Sequence, residues 1–585
     1  MTAHSTAGNI VFVPGATTAD DLLFGSIDSL NIGSGGTAIS FTGFAAPVEL
    51  SNLVQPALSA SDQREPFWRE LLAGSTHIAL SGDADNNIVT GDFVRVANGE
   101  TAYGANDVFS ATAQEDDNIL IGDAYLIESG ATLFGGDDQI LIDIPTPASF
   151  TPVSVDELFG DAGTQFADFG HTVGGDDVLS VTGYFDRIDG IYGELGTNHG
   201  GVVEGGNDRI IVGEAGVAGP PMMSIGTITG DILNSGGASG GAVDTTFTGG
   251  DDIIDIFNLN GSVSTLVGDL TFAEADTETR GGSDVINVLF DLPLTSTAQM
   301  TALDFVAGDG QTVVSSLSVV GGDDVVRIEG IPAQTNGDYG EVLQSSLYTG
   351  GDDMLTVAFD RGPNFAGEIY GEGRTYVTPT GLLSTFRGGN DTIRLELGPT
   401  TVIDNGLFSG DVLDAVYEDG MYFGGDDVID LRSSNPGQPP VPSSVNIYGD
   451  FRSLTQSGVF GVTVNPGADT IFGGNEDDTI FGDFDFTSGL IGVNPGGDDV
   501  IDGGGGNDVI NGGPGNDTAV FGGDAPVFVR LYGFNTGLMT PFHAIGQGQD
   551  RLLSIENVTG SDFNDVLTGD DAVNVLRGGI GDDIL

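Results

Sequence analysis

GGDDQILI, residues 135–142, is the stretch whose reading decides the fold. Two glycines permit a tight bend, the aspartates supply hard oxygen ligands, and the aliphatic run from Ile140 to Ile142 reads as a short strand. The unit returns as GGDDVLSV (174–181), GGNDRIIV (205–212), GGDDIIDI (249–256), GGSDVINV (281–288), GGDDVVRI (321–328), GGDDMLTV (350–357), GGNDTIRL (388–395) and GGDDVIDL (424–431). Turn, ligand and strand repeated together predict an all-β chain. Its expected architecture is a parallel β-roll or β-helix solenoid with long loop insertions and calcium-binding Gly/Asp turns.

Composition agrees with a cation-binding role. The 585 residues include 86 acidic and 16 basic side chains, none of them Lys, for a formal charge of −70. Such a surface repels nucleic acid and anionic membranes and attracts cations. Acidity on this scale often means disorder, but 39% of residues are hydrophobic and fall in strand-like runs. With no cysteine, neither disulfides nor thiolate metal sites are open to the chain. No apolar run reaches the length of about eighteen residues expected of a membrane span. The N-terminal MTAHSTAGNIVFVPG lacks the basic and long apolar segments of an ordinary secretory signal peptide.

Residues 1–79 are the least repetitive and are expected to form an irregular cap. DDLLFG (20–25) is a degenerate repeat there, and one short helix is expected from Ser61 to Gly74, pairing Phe67 with Leu71 and Trp68 with Leu72. Residues 80–463 form an expanded-repeat stack. From Asp107, the second Asp of successive units recurs after 31, 39, 31, 44, 32, 40, 29, 38 and 36 residues. Between these units lies an x-Gly-Asp/Glu step, ending at Asp123, Asp161, Glu194, Asp231, Asp269, Asp309, Glu341, Glu372, Asp411 and Asp450. The simplest account is two strands and two turns per coil, with an insertion at each edge. Distances from unit to step alternate between short and long over the first seven, and Pro145, Pro147, Pro220, Pro221 and Pro293 fall in long links. This predicts a two-coil superrepeat in which alternate coils project a longer loop.

From 464 the period drops to nine residues. NPGGDDVID (494–502), GGGGNDVIN (503–511) and GGPGNDTAV (512–520) are consecutive copies of a regular roll spanning 464–520. An irregular connector (521–559) precedes GSDFNDVLT (560–568), which opens a second roll running to Leu585. These nonapeptides resemble the Gly-Gly-x-Gly-x-Asp-x-aliphatic-x repeat of the repeats-in-toxin, or haemolysin-type calcium-binding, family of type I secreted bacterial proteins. RLLSIENVTGS (551–561) is similar to the segment that leads into such repeats.

The resemblance implies calcium ions held between turns one coil, or 18 residues, apart, as Asp499 and Asp517 or Asp565 and Asp583 are. Asp469, Asp478, Asp483 and Asp508 are further candidates in this region. In the expanded coils the candidates are the second Asp of each unit (Asp138, Asp177, Asp208, Asp252, Asp284, Asp324, Asp353, Asp391, Asp427). The Asp of each Gly-Asp step joins them (Asp123, Asp161, Asp231, Asp269, Asp309, Asp411, Asp450), while Glu194, Glu341 and Glu372 are one methylene longer. Stacked turns lie about 4.8 Å apart, where like charges repel by about 1 kcal/mol in water and several-fold more near a protein surface. Calcium, taking six to eight oxygens, removes that conflict, and magnesium fits less well because it sheds water reluctantly.

The family's secretion route implies an extracellular protein that folds on meeting calcium. Because the chain stops within a nonapeptide at Ile584–Leu585, before the family's C-terminal signal, it is expected to be a fragment. A structural, adhesive or surface-associated role follows, with no catalysis, and with a cell-surface or polysaccharide partner for the inserted loops. The alternative is a polysaccharide lyase or epimerase on a parallel β-helix, using acids near Tyr192, Tyr370 and Tyr448. No His-Glu-x-x-His is present, and GASGG (237–241) matches the lipase Gly-x-Ser-x-Gly pattern outside any strand-to-helix context.

Overall fold

Strands supply all the regular structure. The computed structural model describes residues 91–585 apart from short interruptions, the longest at 145–153, 236–244, 291–301, 433–443 and 532–543, together with isolated strands before residue 91. No helix occurs among the described residues, so none is long and apolar enough to cross a membrane. The chain divides into two compact units, Met1–Thr301 and Ala302–Leu585, built from the same coil.

One coil of the first unit shows the plan. GGDD at 135–138 leads into Gln139–Ile144; Ser154–Phe159 then runs to the Gly160–Asp161 step; Ala162–Gln165 and His171–Val173 follow, and GGDD returns at 174–177. Each strand pairs in parallel with its counterpart one coil on: Val178–Gly183, Arg187–Tyr192, Leu195–Asn198 and Val202–Glu204. Inward residues alternate with exposed ones. In Gln139–Ile144 the odd positions are exposed while Ile140, Ile142 and Ile144 are buried, each contributing about 1.5–3 kcal/mol.

A coil therefore has four strands rather than two. The segments between the Gly-Asp step and the next GGDD are not turns; they hold pairs of three- to five-residue strands too short to show a period in sequence. Where their link vanishes they fuse, as in Val412–Phe423, which pairs with both Gly373–Val377 and Leu383–Arg387. The two corners of a coil also meet: the Gly175 amide donates to Asp161 Oδ2 at 2.8 Å. The coil is thus pinched at a waist, with the first two strands on one arm and the last two on the other. In the first unit, links on the first arm are long at 145–153 and 213–222 and short at 184–186 and 258–260, a two-coil alternation.

The repeat reaches upstream of residue 80. Asp21–Phe24 pairs with Asn87–Thr90, and His77–Leu80 with Val108–Ala111. Within the expected helix, Glu70–Leu72 is a strand paired with Thr101–Tyr103, and the rest of 61–74 lies outside the described residues. A single helical turn carries a nucleation cost that pairing onto an existing ladder avoids.

Near the C-terminus the second arm is lost. Val500–Asp502, Thr518–Val520, Asn557–Thr559 and Val575–Arg577 form one parallel ladder, while Val509–Asn511 pairs with Gln549–Leu553. Residues 549–553 and 557–559 of the expected connector thus join the sheets on either side of it.

Candidate metal centre

At each waist two kinds of carboxylate converge. The second Asp of a unit accepts, through Oδ1, the amide of its counterpart one coil earlier. In the first unit Asp107, Asp138, Asp177, Asp208 and Asp252 donate in this way to Asp138, Asp177, Asp208, Asp252 and Asp284, at 2.6–2.7 Å. In the second unit the chain of bonds runs through Asp324, Asp353, Asp391, Asp427, Asp469, Asp499 and Asp517 at 2.7–3.0 Å. The acid of each Gly-Asp step instead accepts from the second Gly of the following unit: Gly136 to Asp123, Gly250 to Asp231 and Gly282 to Asp269, at 2.7–2.9 Å, and Gly206 to Glu194. Asp309, Asp411, Asp450 and Asp483 take the same bond from Gly322, Gly425, Gly467 and Gly497.

One oxygen per acid is thereby satisfied. The other is buried with no donor from the chain: Oδ2 of Asp138, Asp177, Asp208, Asp252, Asp353, Asp391, Asp427, Asp469, Asp499 and Asp517, Oδ1 of Asp123, Asp161 and Asp231, and Oε2 of Glu194. Against these oxygens lie other carboxylates, close enough in the pairs Asp161/Glu194 and Asp231/Asp269 to share a proton. Leaving so many buried acceptors unsatisfied costs on the order of 1–3 kcal/mol each, more when charged, unless something cationic joins them.

Glycine is required here by space. A Cβ on Gly160 would stand 1.9 Å from Asp177 Oδ2 and 1.7 Å from the Gly193 carbonyl; one on Gly174 would strike the Glu194 carboxylate at 1.9 Å. The Gly-Gly and Gly-Asp signatures thus keep both acids against backbone.

Burial and mutual repulsion drive the acids toward protonation when no metal is bound. For Asp138 burial acts first, then the charges of Asp177, Asp107 and Asp161. Desolvation likewise raises Asp92 to about 7, Asp499 to about 8 and Asp508 to about 9. Ligand oxygens of Asp92, Asp107 and Asp123 lie within 4.8 Å of one another, as do those of Asp123, Asp138 and Asp161, of Glu194, Asp208 and Asp231, and of Asp231, Asp252 and Asp269. All donors are hard oxygens, and two oxygens on one calcium ion stand up to about 5 Å apart. The residues fit calcium.

The expanded corner is an interrupted nonapeptide turn. In the regular coil Gly512–Asp517, a Cβ on Gly512 would meet Asp517 Oδ2 at 2.4 Å, as one on Gly160 meets Asp177; one on Gly515 would meet the Gly497 carbonyl. The expanded coil before it stacks directly on these positions: Gly482 lies against the Gly512 carbonyl, and Gly513 against Asp483. Gly-Asp is therefore the first pair of the turn and GGDD its last four residues, with the second arm inserted between. The second glycine of the regular turn has become an acid, which adds a carboxylate to the site.

Some acids stand elsewhere than the spacing suggested. Glu341 lies within the strand Tyr339–Leu343; the waist acid of that coil is Asp338, from Asn-Gly-Asp three residues earlier, which accepts the Gly351 amide. Asp92 follows Thr-Gly in the same way and accepts from Ala105 at 2.7 Å. Asp478 and Asp508 form a second series, Asp478 to Asp508 to Asp550, the last legible in GQGQDRLL (546–553). Glu556 takes the Asp position beneath Asp517. Asp565 receives Ser561 N and Oγ and the Val527 amide, so its oxygens already have donors, while Asp583 accepts from Asp565. Tyr192 and Tyr448 stack on Phe159 and Phe481, and Tyr370 donates to Glu368; all three are buried. GASGG lies outside the described residues.

The RTX calcium-binding nonapeptide repeat matches the chain in four copies, over 463–486, 496–525 and 554–585. No curated protein and no solved structure matches. The C-terminal region is thus built from haemolysin-type RTX repeats, and the chain is a calcium-binding β-roll that takes multiple calcium ions.

Proposed function

We propose that the chain is a secreted structural or adhesive solenoid that folds when calcium enters the waists of its expanded as well as its regular coils. The observation that carries this reading is the series of buried carboxylate oxygens, from Asp123 to Asp517, that no donor of the chain reaches. The acids named from sequence, without Glu341, Glu372, Asp411 and Asp565 and with Asp92 and Asp107 added, are the proposed ligands. Export by a type I-like route and folding outside the cell suit RTX repeats, since metal binding supplies the folding free energy. The role is one of binding rather than catalysis, and the long links at 145–153 and 213–222 are the proposed contacts for a cell-surface or polysaccharide partner. In support, Tyr192, Tyr370 and Tyr448, which a lyase or epimerase would need at a groove, are buried.

The test is circular dichroism with small-angle scattering across millimolar calcium. Calcium should raise β-structure and reduce the radius of gyration, and chelator should reverse both. A chain equally compact in chelator at neutral pH would refute the proposal. An unsaturated product absorbing in the ultraviolet after incubation with uronate polymers would favour the enzyme.

A further inference from the structure

We propose that Tyr348 and Tyr422 fill, with a phenol hydroxyl, carboxylate oxygens that face a cation in other coils, so that the calcium array is interrupted at these two places. The inference rests on the calcium reading above and concerns where along the waists ions are excluded.

The residue two positions before each GGDD unit is the last buried residue of the second arm. In the first unit it is Leu133, Thr172, Val203, Phe247 or Thr279. Two of these carry a hydroxyl, and neither is given to a waist acid: that of Thr172 is spent on Gln165 Oε1 at 2.6 Å, and that of Thr279 makes no hydrogen bond. In the second unit the position holds Val319, Tyr348, Phe386 and Tyr422, and both tyrosines reach the acids. Tyr348 Oη stands 2.7 Å from Asp338 Oδ2 and 2.7 Å from Glu372 Oε2, bridging the acids of two successive coils. Tyr422 donates to Asp411 Oδ2 at 2.7 Å.

Glu194 and Glu372 make the comparison direct. Both are glutamates at the same corner, and both accept the second-glycine amide, from Gly206 and Gly389. Glu194 Oε2 is then left with no donor, whereas Glu372 Oε2 has the phenol. Asp411 is filled in the same way, by Tyr422 and Gly425.

The phenols are held in place. Tyr348 stacks on Phe386 at 4.8 Å and Phe386 on Tyr422 at 4.7 Å, with Tyr376 and Tyr417 packed against this ladder. Both tyrosines are fully buried, so withdrawing a hydroxyl would break stacked contacts. A neutral donor fixed at Glu372 and Asp411 satisfies them without a cation, while at Asp338 the phenol lies on Oδ2 and Oδ1 keeps no donor.

Two isosteric exchanges test this on the full chain, with bound calcium counted by equilibrium dialysis and atomic absorption. Tyr348→Phe keeps the stack, leaves Glu372 Oε2 with no donor and leaves Asp338 Oδ2 with the Gly351 amide alone, so bound calcium should rise by about one ion per chain. Phe247→Tyr adds a hydroxyl beside Asp231, whose Oδ1 has no donor, so bound calcium should fall by about one. Unchanged counts in both variants, with wild-type circular dichroism, would overturn the inference while leaving the calcium reading intact. If Tyr348→Phe fails to fold, Phe247→Tyr decides alone. A wild-type chain that binds no calcium beyond its C-terminal repeats would instead sink the calcium reading on which the inference stands.

Discussion

Asp138→Asn separates the two roles of a waist acid, because its effect should change sign with calcium. Asp138 Oδ1 accepts the Asp107 amide at 2.6 Å, and asparagine retains that acceptor. Its second oxygen has no donor, and one oxygen of the carboxylate lies within 4.8 Å of ligand oxygens of Asp123 and Asp161. At that distance an ionised pair repels by about 3 kcal/mol at an effective dielectric constant near 20. Two such neighbours cost more than the roughly 4 kcal/mol needed to protonate a carboxyl at neutral pH. The metal-free coil therefore takes up protons, and up to about 4 kcal/mol is the penalty that asparagine removes. Its amide also donates to the facing carboxylates. With calcium the same change deletes an anionic ligand and places a donor against the ion, which should weaken that site about tenfold or more, at least about 1.4 kcal/mol. Thermal unfolding followed by circular dichroism, in chelator and in saturating calcium, reads both effects. The midpoint should rise, or the folded fraction increase, in chelator, and should fall in calcium. A loss of similar size in both conditions would mean that Asp138 only packs, and would refute the reasoning.

Gly160→Ala should cost more than a typical core overpacking of about 1–3 kcal/mol, because its Cβ would meet a carbonyl fixed in the adjacent coil as well as Asp177; a melting-midpoint loss in calcium checks it. Acids whose folded pKa lies above the unfolded value stabilise the metal-free fold at low pH and lose that contribution as pH rises through the folded pKa. With Asp338 at about 6, Asp517 at about 7 and Asp499 at about 8, the metal-free fold should be most stable near pH 4 and lose stability progressively from there to about 8. Calcium, which needs the ionised acids, should be retained at high pH and released on acidification, so circular dichroism titrations with and without calcium should cross. Deleting 484–495 joins Gly482–Asp483 to Gly496–Asp499, whose ends are already bonded through the Gly497 amide. The shortened chain should still fold on calcium with an unchanged or higher cooperativity, and a chain that no longer responds to calcium would contradict the interrupted-turn reading.

Much of this architecture is local and so was legible in the residues. Gly-Gly-Asp-Asp encodes a bend, a ligand and the start of a strand within one segment, and the nonapeptides of 494–520 carry their whole turn in consecutive positions. Chain order alone therefore points to parallel coils, oxygen ligands and calcium. The waist is different. Asp161 and Gly175, or Asp231 and Gly250, are 14 and 19 residues apart and meet only because the second arm leaves and returns. Nothing in the spacing distinguishes Asp338 from Glu341, since both follow glycine; the register of the strand Tyr339–Leu343 decides which one faces the waist. Asp565 occupies the ligand position of its repeat, yet Ser561 of its own turn and Val527, 38 residues earlier, supply its hydrogen bonds. The sequence by itself determined the chemistry of the corners, because glycine flexibility and carboxylate hardness belong to single residues. Which carboxylate oxygens remain open to a cation was decided only by the tertiary structure, because both phenols and most of the amides that fill an oxygen come from elsewhere in the chain.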